Sequence, residues 1–210
     1  MLKNNGEGPT EIIGTDMSLE AVGRYLCDRF YQVPPGSSPD YIPSMLEIVD
    51  KEEPDLVFPE SSNEVLQLAK AKDDFESKGT PVVVSSPEAI ETASNKFLMY
   101  EEVRKGGKVD LPLYHSASTM DELLEAMDRL GYPEKPVVFK PQFGKGSRGV
   151  RIINPKADRR HQLMDEKPTS KFMSLDEFTE IFKEIEDSAF PDFVVMEHLE
   201  GMEKTADTKP

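Results

Sequence analysis

Apolar and polar positions change rhythm along the chain, and each rhythm predicts an element. Residues 11–16 (Glu-Ile-Ile-Gly-Thr-Asp) form a short apolar run closed by turn formers, which predicts a buried strand. Ser18 then offers a cap, and Leu19, Val22, Leu26 and Phe30 recur at helical spacing, so residues 19–30 read as a helix. Residues 31–34 are a short extended piece, and residues 41–52 a second helix. Apolar runs at 55–59 and 81–84 predict two further strands, separated by a Leu-, Ala- and Lys-rich helix over 62–77. Ser86-Pro87-Glu88 supplies a cap and a proline at the first position of another helix. Strands alternating with helices at this spacing predict a parallel sheet with crossover helices.

The pattern changes after Asn95. Residues 96–105 form a helix closed by Gly106-Gly107, and Thr119 opens another that runs to Leu130. Residues 136–140 and 149–153 are strands joined by a glycine-rich loop, which makes a hairpin rather than a strand–helix–strand unit. Residues 154–169 read as a polar loop or short helix. Ser174 with Glu177 marks the start of a helix to Glu186, and residues 193–197 form a last strand. The expected division lies near residue 90, giving domains 1–90 and 91–210. The fold class is α/β: a partial doubly wound parallel sheet followed by a partial α+β domain. The first strand has no strand and helix before it, and residues 205–208 resemble a strand with no partner after it. The pattern therefore reads as an internal piece of a longer chain.

Composition narrows the function classes. The 210 residues are 37% hydrophobic and 31% charged, enough to bury a core. Forty acidic against 25 basic residues give a net charge of −15, which disfavours nucleic acid and anionic membranes as partners. The single cysteine, Cys27, excludes an internal disulfide and a multi-cysteine metal site; its place in an apolar pattern predicts a buried thiol and a reducing, cytoplasmic setting. Three scattered histidines do not suggest a metal site. No apolar run approaches the ~20 residues that span a bilayer, and residues 1–8 lack the apolar core of a signal peptide.

Against this acidic background one segment stands out, Val137-Val138-Phe139-Lys140-Pro141-Gln142-Phe143-Gly144-Lys145-Gly146-Ser147-Arg148-Gly149. Its glycines let successive N–H groups turn inward into an anion-binding concavity, and Lys140, Lys145, Arg148 and Ser147 add charge and a hydroxyl donor. Together they suit a polyphosphate. A Walker loop and a dinucleotide fingerprint both lead into a helix, whereas this loop leads into Val150-Arg151-Ile152-Ile153, a strand. A loop between two strands can fold over phosphates as a lid. A solvated hairpin turn remains the plainer alternative.

Four segments in order resemble the ATP-grasp superfamily, specifically carbamoyl-phosphate synthase large-subunit-like proteins. They are Ser94-Asn95-Lys96-Phe97, Val138-Phe139-Lys140-Pro141, the Gly144–Gly149 loop, and Val195-Met196-Glu197-His198-Leu199-Glu200-Gly201-Met202-Glu203. The resemblance implies a pre-ATP-grasp α/β domain followed by the first part of an ATP-grasp nucleotide-binding domain. It implies that Lys96 and Lys140 contact ATP phosphates under Gly144, Lys145, Gly146, Ser147, Arg148 and Gly149. Glu197, His198 and Leu199 would form the hinge beside adenine, Glu197 and Leu199 mainly through backbone groups, and Glu203 would accept from the ribose hydroxyls. Taken singly, Lys96 and Glu203 also fit plain surface positions, and Glu197 an edge charge. The resemblance places magnesium ligands beyond residue 210 and identifies no catalytic residue within the chain.

The implied activity is that of an ATP-dependent carboxylate–amine ligase: ATP activates a small carboxylate, with bicarbonate as one acceptor the family allows, as an acyl phosphate for attack by an amine. Without the metal ligands the chain alone is expected to fall short of full competence. The expected partners are ATP and an unidentified small carboxylate, with a second copy or a complementing chain also allowed. A non-catalytic nucleotide-binding or interaction module, and an ordinary α/β domain whose loop takes another phosphate, stay open as alternatives.

Overall fold

The computed structural model describes residues 6, 8–144, 146, 148–156, 164, 171–183, 185 and 189–201. The chain divides into two compact units, Met1–Glu91 and Thr92–Pro210.

In the first unit β1 (Ile13–Asp16) pairs in parallel with β2 (Arg29–Gln32), register Ile13↔Arg29 to Asp16↔Gln32. The helix expected over 19–30 does not form: its connection holds one 3₁₀ turn, Val22–Tyr25, and Phe30 belongs to β2. A helix of this length is stabilised by burying one face. Here Leu19, Val22 and Leu26 are exposed, and Gly23 sits mid-segment, where it costs about 1 kcal/mol. Ser18 closes a turn instead, its N–H donating to Asp16 Oδ1 at 2.7 Å. Cys27 is half-buried rather than buried, and its thiol donates to the Arg24 carbonyl.

Helix α1 (Tyr41–Glu52) buries Tyr41, Met45 and Val49, one stripe at intervals of four. Glu53 ends it in a left-handed conformation (φ 45°), its N–H donating to Val49 O. The strands expected at 55–59 and 81–84 meet only as a parallel bridge, Val57↔Val82. Pro54, Pro59 and Pro81 carry no N–H, so the ladder cannot extend. The helix expected over 62–77 is two, α2 (Val65–Lys70) and α3 (Lys72–Ser77), parted at Ala71. Helix α4 (Pro87–Ser94) starts as predicted, with Ser86 Oγ accepting from Ala89 N–H. Val33, Tyr41, Met45, Val49, Leu68, Phe75 and Val82 form the core.

The second unit opens with α5 (Lys96–Gly106), capped by Asn95 and ended by Gly107 at φ 60°. Then follow β3 (Tyr114–Ala117), α6 (Met120–Arg129), β4 (Val137–Pro141), β5 (Arg151–Ile153), β6 (Phe172–Met173), α7 (Leu175–Phe182) and β7 (Phe193–Glu197). The sheet order is β3-β7-β4-β5-β6, antiparallel except for β5 with β6. The hairpin of β4 and β5 and the Ser174–Glu177 capping box stand as predicted. The sequence reading did not foresee β3, whose Tyr-His-Ser-Ala is too polar to stand out, or the two-residue β6. Helix α7 ends at Phe182, before the expected Glu186. The expected loop or short helix at 154–169 falls mostly, and the expected strand at 205–208 wholly, outside the described residues.

Side chains alternate across the strands. Val137 and Phe139 of β4, Ile153 of β5, and Phe193 and Val195 of β7 join Leu123, Ala126 and Met127 of α6 and Phe178 of α7 in one buried cluster. Phe139 packs 4.7 Å from Phe178, ring centre to ring centre. Val138 and Lys140 of β4, Ile152 of β5, and Val194 and Met196 of β7 therefore belong to the opposite face.

Candidate functional site

Lys140 sits near the end of the central strand β4, in register with Val194 on its neighbour β7, on the face away from the core. The start of α5 docks against the same end of β4. The Lys96 N–H donates to Gln142 O at 3.0 Å, and its ammonium donates to Pro141 O at 3.0 Å and Gly144 O at 3.1 Å. Burial, and after it the Lys140 charge, push the Lys96 ammonium below the ordinary lysine value of 10.5. Among the described residues, none of Lys96, Lys140 and Arg148 forms an ion pair with a carboxylate. Two ammonium groups close enough to oppose one another's charge, with no acid between them, fit an anionic ligand.

The loop between β4 and β5 carries Gly144, Gly146 at φ 58° and Gly149 at φ 74°. A Cβ on Gly149 would lie 2.6 Å from Pro141 Cγ, so the loop returns tightly over the end of β4 and only glycine fits there. Arg148 is exposed, and Lys145 and Ser147 lie outside the described residues.

At the opposite end of β4, β7 delivers Glu197. Its N–H donates to Leu113 O at 3.0 Å, and its carboxylate accepts the Leu113 N–H at 2.8 Å. The Glu197 side chain and main-chain N–H are thus both occupied by the backbone before β3. Next to it, His198 holds a buried Nδ1 without a partner among the described residues, while Leu199 is exposed. Glu203 lies outside the described residues. The structure brings Lys96, Lys140 and Gly144 together and sets Glu197–Leu199 about 10 Å along the sheet, at some 3.4 Å per residue of β4. A site cationic at one end and hydrogen-bonding at the other suits a ligand with an anionic tail and a planar head.

Two residues of this arrangement escaped the sequence reading of function, Asn95 and Gln142. Both are buried, and Asn95 Nδ2 donates to Gln142 Oε1 at 3.0 Å. The available signal was a capping Asn next to Lys96 and a polar Gln just beyond Lys140. A separate cavity of about 760 Å³ lies beside β3, between Glu101 and Arg104 of α5 and Glu125 and Arg129 of α6; it includes neither Lys140 nor the glycine loop. Among the described residues no group of three His, Cys, Asp or Glu side chains could hold a metal ion, so no metal site is assigned to them.

A family model described as the PylC-like N-terminal domain matches residues 1–83. The carbamoyl phosphate synthase large chain of Buchnera aphidicola subsp. Acyrthosiphon pisum is 29% identical over 144 residues, which is 68% of this chain and 12% of that protein. The same enzyme from Xylella fastidiosa strain Temecula1 is 32% identical over 139 residues, 66% of this chain and 12% of the relative. Among solved structures, an N5-carboxyaminoimidazole ribonucleotide synthetase in complex with ADP superposes with a TM-score of 0.60 at 17% identity. It covers 90% of this chain and 41% of its own. The chain thus spans about an eighth of the length of the synthases it matches, and both units share the fold of that ADP-bound synthetase.

Proposed function

We propose that this chain, which resembles the carbamoyl phosphate synthase large chain over about two thirds of its length, is the ATP-binding part of an ATP-grasp, ATP-dependent carboxylate–amine ligase. Residues 1–90 serve as a pre-ATP-grasp domain, and residues 91–210 as the first part of the nucleotide-binding domain. The observation that carries the reading is Lys96, its ammonium on the Pro141 and Gly144 carbonyls at the start of a glycine-rich loop and opposed by the Lys140 charge, with no described carboxylate paired to either lysine.

The two ammonium groups neutralise the phosphates, and Gly144, Lys145, Gly146, Ser147, Arg148 and Gly149 cover them with N–H donors and positive charge. Main-chain groups of Glu197 and Leu199 meet the adenine edge, with His198 beside them, and Glu203 accepts from the ribose hydroxyls. In the reaction a carboxylate oxygen, from bicarbonate or another small acid, attacks the γ-phosphorus and ADP leaves. The resulting acyl phosphate is opened at carbon by an amine, with phosphate expelled and a proton lost from nitrogen. This chain's residues hold the triphosphate in line and exclude water from it. Magnesium, when bound, would neutralise phosphate charge, and the described residues supply no ligand set for it. The cytoplasm is the proposed location.

Titration calorimetry with ATP on the wild type and Lys140→Ala tests the site. The variant is expected to bind at least ten times more weakly, a loss of about 1.4 kcal/mol. A folded wild type that does not bind ATP overturns the reading. ADP release in the presence of small carboxylates and amines tests the ligase activity; binding with no ADP released would leave a nucleotide-binding module.

A further inference from the structure

Gln142 is unusual in being a buried polar residue at the point where a strand gives way to a glycine loop. Three of its hydrogen-bonding groups are committed, two to the head of α5 and one to the segment before β7. Its side-chain Oε1 accepts from Asn95 Nδ2 at 3.0 Å, its carbonyl accepts from Lys96 N–H at 3.0 Å, and its N–H donates to Asp192 O at 2.9 Å. The Asn95 amide has no choice of orientation. Its Oδ1 takes the Phe97 and Leu98 N–H groups at the head of α5, at 2.9 and 3.0 Å, so only Nδ2 is left to face Gln142. One residue earlier and two later, the Lys96 ammonium binds Pro141 O and Gly144 O. The chain is therefore held on both sides of Gln142, from Pro141 to the first glycine, Gly144.

Resting on the nucleotide reading above, we infer that Gln142, through its amide pair with Asn95, is a positioning residue. It fixes the base of the glycine loop against the head of α5, so that Lys96 and the loop meet the phosphates in one geometry. It touches no phosphate itself. Because the adenine end of the site lies at the other end of β4, the pair governs affinity for the polyphosphate and not for the base.

Two single variants and their combination test this, with ATP followed by calorimetry and adenosine by NMR titration, which reads weak binding. Gln142→Leu removes the acceptor at similar volume. Asn95→Ser keeps a capping oxygen for α5 but removes the Nδ2 donor, and so guards against a variant that simply fails to fold. Each single variant is expected to weaken ATP at least fivefold with adenosine changed less than twofold, and the double variant to fall no further than the weaker single. Wild-type ATP affinity in both folded variants overturns the inference. So does an equal loss of ATP and adenosine, which would mean that the pair merely holds the unit together. A wild type that binds ATP while the variants do so unchanged leaves the nucleotide reading standing; a wild type that binds neither ligand removes both.

Discussion

In the first unit Arg29 pairs with Glu11 and Glu52, Lys70 with Glu91, and Lys78 with Asp50, while the Lys51 ammonium lies 4.8 Å from the centre of the Tyr31 ring. In the second, Arg104, Lys105 and Arg129 pair along their own helices, yet Lys96 and Lys140 have no described acid partner. In a chain with 40 acidic residues, that lack of counter-ions is more telling than the presence of lysine. The units also differ in how they hold together. One has a two-stranded parallel sheet and a single bridge, so its core depends on helices; the other has a five-stranded sheet that places the site.

The largest test of this contrast is a matched pair of core deletions. Phe75 and Phe139 are both fully buried, one in each unit, and each change to Ala is expected to cost about 3–5 kcal/mol. Hydrogen exchange should show Phe139→Ala exposing β4 and β7 amides and sparing α1, with the reverse for Phe75→Ala. Loss across both units in either variant would break the comparison. Next, Gly149→Ala adds both a left-handed strain and a clash with Pro141, for roughly 1–3 kcal/mol, while Gly146→Ala, with nothing within 4 Å, should cost only about 1 kcal/mol. Denaturant midpoints compare the two.

Alkaline pH gives opposite signs. Lys96 titrates below 10.5 when folded, so the unfolded chain holds more protons between its lowered value and 10.5, and its contribution to stability rises with pH across that window. Burial, then Glu64, raise Tyr41, so the unfolded chain loses that proton first and its contribution falls as pH climbs above 10.0. Lys96→Met should flatten the first slope, and Tyr41→Phe the second, in unfolding measured across pH. The smallest effects belong to exposed pairs: Lys70→Ala and Arg129→Ala should each change stability by under about 1 kcal/mol.

The parts legible in the sequence are those where local chemistry and tertiary packing agree. Tyr41 to Glu52, the Ser174 capping box and the β4–β5 hairpin have their caps, turns and buried stripes within a few residues. Leu19 to Phe30 had the helical spacing but no surface to pack against, and β3 owes its existence to a register with β7 some eighty residues away. The lysines and the loop stood out by residue type, and their use for phosphate is the proposal made above. The commitment of the Glu197 carboxylate to Leu113 and of Gln142 to Asn95 did not, because each bond joins segments distant in sequence.

The place of β7 has a consequence for how the second unit comes together. It is the last strand described in the chain, yet it lies between β3 and β4 in the sheet. Until it emerges during synthesis, β3 has no neighbour and the β4–β5 hairpin shows one bare flank. The hairpin can close within microseconds, whereas the pairing of β4 with β7 must wait for a long loop to close. Through that interval the apolar residues later sealed by Phe193 and Val195 are open to water, and to other chains.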